Sequence, residues 1–217
     1  MPHRRVPHST RPESVNPALR PYVFTVERFM GHAAMRIFLR SLLLAVLLIA
    51  AWGLLEPWVR HAVYAMRLAA MPVPGALAMP VSGVRPKALR DTWHASRSEG
   101  RRHEGIDIFA KRGTAVRAAT EGIVLRVGTN RLGGQVVWVL GPGGQRHYYA
   151  HLDRFSDVAP GMRVEEGRVL GYVGNTGNAR TTPPHLHYGV YGKAGPVNPY
   201  PLLRGGAPER TAQAGQP

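Results

Sequence analysis

The sequence predicts an all-β protein: a compact antiparallel β-sheet of sandwich or barrel type, preceded by one transmembrane helix. Three observations lead there. Between Gly105 and Tyr191, short runs of β-branched or alternating apolar residues recur with glycine-rich turns between them. No long amphipathic helical pattern interrupts those runs. Ahead of them, Ser41 to Leu55 reads SLLLAVLLIAAWGLL without a charge. A chain of 217 residues with 44% apolar content is long enough for one packed core with appendages.

Taken in order, residues 1–34 are rich in Pro, Arg and His and lack periodicity. They read as a disordered basic leader, or as sequence upstream of the true start, because Met30 and Met35 both precede the apolar run. Residues 35–59 form the expected anchor. Their uncharged core falls short of the roughly 18 residues that settle a membrane span. Ile37, Phe38 and Leu39 extend it beyond Arg40, whose long side chain can snorkel to the interface. A signal-peptide hydrophobic region or a buried helix would read the same way. No small-x-small cleavage site follows in Trp52 to Trp58, however, and both tryptophans suit an interfacial belt, so an uncleaved single-pass anchor is expected. Arg20, Arg28, Arg36 and Arg40 precede the span, whereas Arg60 and Arg67 follow it. This bias leaves the N-terminus cytoplasmic and the C-terminal domain in the periplasm or cell envelope.

Residues 60–80 read as a short helix running to Met71, then a linker broken by Pro72, Pro74 and Pro80. The folded domain covers 81–203. Its strands are expected at Ile123 to Val127, Gln135 to Leu140, Arg146 to Ala150, Val169 to Val173 and His185 to Tyr191. The tail, 204–217, is Gly, Pro, Ala and polar, and reads as disordered.

Composition narrows the partners. With 28 Lys+Arg against 13 Asp+Glu the formal charge is +15, which favours anionic surfaces such as lipid head groups and acidic polymers. Neither a zinc-finger spacing nor an RNA-binding aromatic signature is present, so no nucleic-acid partner is expected. The sequence points to no particular protein partner. There are no cysteines, which excludes disulfides and thiolate metal sites.

Two segments carry the chemistry, His103-Glu104-Gly105-Ile106-Asp107 and Pro184-His185-Leu186-His187. In an extended strand side chains repeat with a period of two, so His185 and His187 share one face; His103 and Asp107 are read with the same parity. Two histidines with a carboxylate are an established ligand set for a catalytic zinc, which keeps its fourth position for water. Parity leaves the neighbouring rings open. His147 and His151 lie on the same side of a regular strand, and His94 belongs either to a groove edge or to a loop cap.

Further motifs follow in order: Gly113-Thr114-Ala115-Val116, Tyr149-Ala150-His151-Leu152, Gly161-Met162-Arg163-Val164, Gly171-Tyr172-Val173-Gly174-Asn175-Thr176-Gly177 and Val197-Asn198-Pro199. With the two histidine segments, this series of about 100 residues resembles the lysostaphin-type, or LytM-like, zinc endopeptidases that cut peptide bonds in bacterial peptidoglycan. The resemblance implies Zn2+ held by His103, Asp107 and His187, with His151 and His185 beside the metal as acid and base, and peptidoglycan as substrate. It also selects His151 over His147. Two departures bear on the loop beside the metal: Ala179-Arg180-Thr181-Thr182-Pro183 stands where relatives often carry Ser-Thr-Gly, and Tyr188-Gly189 where they often carry Phe-Glu. The competing expectation is a noncatalytic envelope regulator that uses the same fold to activate a wall hydrolase. Such proteins typically lose metal ligands, and this chain retains all of them.

Overall fold

The computed structural model describes residues 31–97 and 100–205. The expected leader up to residue 30 and the tail from residue 206 lie outside these residues. The chain divides into two units, Met1–Leu54 and Leu55–Pro217.

In the first unit the described residues belong almost wholly to helix α1, His32–Ala70, which continues into the second. Its apolar side chains are exposed all round: Ile37, Phe38 and Leu39 are consecutive, yet each is more than half exposed. A helix apolar on every face lacks the polar stripe of a surface helix. Its most apolar 18-residue window has a mean hydropathy of 2.3, and the helix is long and apolar enough to cross a membrane. Where the sequence suggested an anchor at 35–59 followed by a separate short helix, one uninterrupted helix covers both stretches. Pro57 sits inside it, lacking the N–H that would bond the carbonyl of Gly53.

In the second unit, the last turns of α1 lie against the β-domain. Leu68 is fully buried, the Tyr64 hydroxyl donates to Glu121 Oε2 at 2.9 Å, and Arg163 stacks over the Tyr64 ring at 4.5 Å. Met71 and the prolines that follow end the helix, and the chain then contributes Leu77, Val81 and Leu89 to the core.

Among the described residues nine strands follow: β1 Ile106–Phe109, β2 Ala115–Arg117, β3 Gly122–Asn130, β4 Gly134–Leu140, β5 Arg146–Phe155, β6 Arg163–Val164, β7 Val169–Val173, β8 His185–Gly192 and β9 Gly195–Val197. A short helix, α2 Pro199–Arg204, closes the fold, capped by Asn198, whose Oδ1 accepts from Tyr200 N. Every strand pairing is antiparallel, in the order β1-β8-β5-β4-β3-β6, with β7 paired to β2 and β5, and β9 to β8. Five of these strands cover the runs read from the sequence; β1, of four residues, and β2, β6 and β9, of two or three each, are too short to show a sustained alternation. The all-β expectation is met.

The central strand is β5. Its first half lies between β4 and β8, pairing Tyr149 with Tyr188 and Ala150 with His187. Its last residues, Leu152 to Phe155, pair with β7 instead. Alternation along the pleated strands gives the sheet two distinct sides. One packs Ile106, Ile108, Val137, Tyr149, Leu186, Tyr188 and Val190 into the core; the other presents Asp107, Trp138, Tyr148, Ala150, His185 and His187 to a cleft.

Candidate active site

The site is built across three neighbouring strands. Register places Asp107 of β1 opposite His187 of β8, and His187 opposite Ala150 of β5, so the three share one row on the same face. One pleat along, His185 faces Phe109 across the same pair of strands. The small side chain of Ala150 leaves the space above that row to the histidines.

His103 arrives differently. It precedes β1 in a segment that folds back on itself, with His94 N donating to His103 O at 2.9 Å and His103 N to Ala95 O at 3.0 Å. The parity shared by His103 and Asp107 is therefore not the parity of one strand: a bend at Gly105 separates them. A Cβ at Gly105 would stand 2.6 Å from Tyr188 O and 2.8 Å from His187 Cε1. Only glycine admits the approach that brings His103 over β8.

His103 Nε2, Asp107 Oδ1 and His187 Nδ1 form a triangle with sides of 2.7, 3.1 and 3.3 Å. The His103 Nδ1–H is given to Thr92 O at 2.6 Å, so its Nε2 lone pair faces the other two atoms. Thr92 Oγ1 also accepts from Asp107 N at 3.0 Å, while Arg97 donates to Asp107 Oδ2 and leaves Oδ1 turned inward. Three acceptor atoms this close repel one another unless a cation or proton lies between them. Ligand atoms around a tetrahedral centre with bonds of about 2.0 Å stand roughly 3.3 Å apart, so the donor set fits a small divalent metal such as zinc. Among the described residues, these three are the group of metal-ligating type that converges in this way.

Burial opposes ionisation of Asp107, but the close contacts with His103 and His187 and the hydrogen bond from Arg97 outweigh it and hold the carboxyl well below the usual range. Burial pushes His187 down; its bond to Asp107 works the other way. The site therefore offers a carboxylate and a neutral imidazole, the forms a metal needs.

His151 and His185 flank the triangle. The His151 ring lies 5.0 Å from that of His185 and 5.9 Å from that of His187, and His185 Nε2 is 3.9 Å from Asp107 Oδ1. Each has its Nδ1 on a backbone carbonyl, Thr176 O at 2.9 Å for His151 and Pro183 O at 2.9 Å for His185. With Nδ1 donating, Nε2 of each carries the lone pair. Burial, with the neighbouring imidazoles His187 and His185, lowers His151 to about 4, so it is neutral at physiological pH.

His151 faces the cleft only because β5 breaks its alternation there. Tyr148 and Ala150 point to the cleft and Tyr149 to the core; a regular strand would send His151 into the core, as parity with His147 implied. Instead His151 takes φ of 63°, in the left-handed region, and the register shifts between Leu152 and Arg154. Such a conformation costs a side-chain-bearing residue about 1–3 kcal/mol and persists where neighbours impose it. His151 N is tied to Gly133 O at 2.7 Å and its ring to Thr176. His147 stays on the core side, fully buried against the Tyr188 hydroxyl at 2.7 Å. His94 is stacked on Trp93, and its backbone supports His103; its ring is not part of the cleft wall.

Around this centre opens a cleft of about 800 Å³, with Trp138, Tyr148 and Tyr191 on one side of the triangle. Thr92, Arg97 and Thr176 were not legible as site residues, because they act through backbone oxygens or contacts distant in sequence. Gly105 was legible in principle, as the glycine between two ligand-type residues.

The profile described as Peptidase family M23 matches residues 101–199. The L-Ala–D-Glu endopeptidase of Bacillus subtilis (strain 168) is 40% identical over 129 residues, which cover 54% of this chain and 40% of that protein. Lysostaphin of Staphylococcus simulans is 35% identical over 91 residues, covering 41% of this chain and 18% of that one. The chain thus spans less than half the length of either relative. The solved structure of the antimicrobial peptidase lysostaphin from Staphylococcus simulans superposes with a TM-score of 0.50 at 24% identity, covering 64% of this chain and 59% of that one, which supports the fold. Matched in sequence over most of the segment that builds the cleft, residues 101–199 form a domain of the Peptidase family M23 type, homologous to lysostaphin and the L-Ala–D-Glu endopeptidases.

Proposed function

We propose that the protein is a zinc-dependent endopeptidase that hydrolyses peptide bonds in peptidoglycan stem peptides or cross-bridges. The carrying observation is the triangle of His103, Asp107 and His187, with two imidazoles beside it whose Nδ1 atoms are already committed. His103, Asp107 and His187 would hold the zinc. That ion supplies Lewis acidity and brings the pKa of a water molecule toward neutrality.

The remaining chemistry falls to the chain's own side chains. One of the Nε2 atoms of His151 and His185 takes the proton of the attacking water, and that proton then passes to the leaving amine. The other, once protonated, donates to the oxygen of the tetrahedral carbon. Thr176 O and Pro183 O hold the rings in the tautomer these roles need. Arg97 and Thr92 keep the Asp107 carboxylate and the His103 ring oriented, as partners behind metal ligands do. No covalent intermediate with the protein is required.

The apolar α1 would anchor the chain in a membrane as a single pass, with the β-domain in the periplasm or cell envelope beside its substrate. The retained ligand triangle argues against a noncatalytic regulator. The test uses the full chain in detergent micelles: zinc content is measured, and release of peptides from purified sacculi is followed with and without a chelator. One zinc per chain and chelator-sensitive release are expected; intact sacculi from several cross-link types, with zinc bound, would overturn the enzyme reading.

A further inference from the structure

Arginines from two separate segments line the cleft. Residues 94–97 and 100–103 run antiparallel beside the site, with Arg97 N donating to Arg101 O at 2.9 Å and Ser96 bridged to Arg102. Arg102 reaches the cleft from there. The connection from β3 to β4 carries Arg131.

That second segment is fixed in place. Asn130 Oδ1 accepts from Gly133 N at 2.6 Å, and Asn130 Nδ2 donates to the Tyr148 hydroxyl at 3.2 Å. Leu132 O accepts from Asn178 N at 3.0 Å, and Gly133 O from His151 N at 2.7 Å. A Cβ at Gly133 would stand 2.0 Å from the Tyr148 hydroxyl, so the turn lies directly against the aromatic cluster. There Trp138 is 4.3 Å from Tyr148 and 5.5 Å from Tyr191, ring centre to ring centre.

The acids lining the cleft are Glu104 and Asp107, and Asp107 is already committed to Arg97 and the histidines. Among the described residues, no carboxylate pairs with Arg102 or Arg131. Guanidinium groups that line one cleft together with an aromatic cluster are suited to carboxylates presented by a bound chain. A neutral peptide would leave both without a partner.

Resting on the hydrolase reading, we propose that this cleft selects peptides bearing free carboxylates over neutral ones, with Arg102 and Arg131 setting the choice. Stem peptides meet the requirement, because residues joined through a side-chain carboxyl keep the α-carboxylate free; oligoglycine bridges carry none along their length.

The experiment uses two fluorescent peptides of identical length, one with free carboxylates and one with each replaced by carboxamide. Binding to the full chain in detergent is read by anisotropy with and without zinc, and kcat/KM is measured in parallel. The carboxylate peptide binds about tenfold more tightly at low salt, and the preference shrinks as salt rises. In the double variant Arg102→Gln/Arg131→Gln the ratio between the two peptides falls to near unity, with an unchanged melting temperature as the folding control. Equal binding of the two peptides by the unaltered chain, or a preference that survives both substitutions, overturns the proposal. Anisotropy needs no turnover, so a retained preference without cleavage of either peptide would count against the hydrolase reading and leave this inference standing.

Discussion

Two histidines of the same strand, His147 and His151, separate what burial does from what access does. Burial lowers both to about 4, and each shares its Nδ1 with an oxygen, the Tyr188 hydroxyl for one and Thr176 O for the other. They differ in the side of the sheet they occupy. His147 lies on the core side beside Tyr149 and Tyr188, and burial also raises both tyrosines, so the cluster is neutral and stays so. His151, turned by its left-handed backbone, lines the cleft with His185 and His187. A perturbed imidazole marks a functional group only when its free nitrogen reaches the place where a substrate can sit.

The comparison breaks most sharply at the metal triangle. His187→Ala removes one corner, and metal affinity measured by titration should fall by more than the roughly 10–100-fold that loss of an outer partner costs, with cleavage lost as well. A variant that keeps its zinc and its activity would break the assignment of the cleft side.

His151→Ala sharpens it. Zinc stoichiometry and melting temperature should hold while kcat falls about 10²–10⁴-fold, the range for loss of a general acid or base. An equal loss in His147→Phe, per folded molecule, would erase the distinction between the two sides.

The smallest expected effect on activity, and the clearest on stability, belongs to His147→Phe. In the unfolded chain His147 takes a proton below its ordinary value of 6.5, whereas the folded chain keeps it neutral down to about 4. The unfolded state therefore binds more protons in that window, and stability falls as pH drops from 6.5 toward 4, by about 3 kcal/mol from this group. The sign is that of a depressed folded value: the contribution is fully present above 6.5 and lost below. Denaturant unfolding at several pH values should show a flatter slope in His147→Phe. An unchanged slope would mean that His147 ionises in the fold.

Much of the fold was legible because antiparallel strands carry their own period. The runs at Gln135 to Leu140 and His185 to Tyr191 alternate between a core-facing and a cleft-facing residue, as β4 and β8 do. The placement of His185 with His187 on one side of a strand follows from the same period. Strand parity failed for His103 with Asp107, and for His147 with His151. Both failures occur where the backbone leaves the regular pleat, at the Gly105 bend and at the left-handed His151. For His151 the neighbouring Tyr-Ala-His-Leu motif pointed to the cleft where the pleat did not.

The sequence by itself determined the all-β class, the single apolar helix and the residue types able to bind a metal, because hydrophobic period and donor chemistry are local properties of the chain. Tertiary structure alone decided which of those residues meet. Thr92 O on His103, Arg97 on Asp107 and Gly133 O on His151 join positions that no short-range pattern relates. The physical reason is that ring orientation, tautomer and the turn that carries His151 into the cleft are set by hydrogen bonds formed only after the strands have paired.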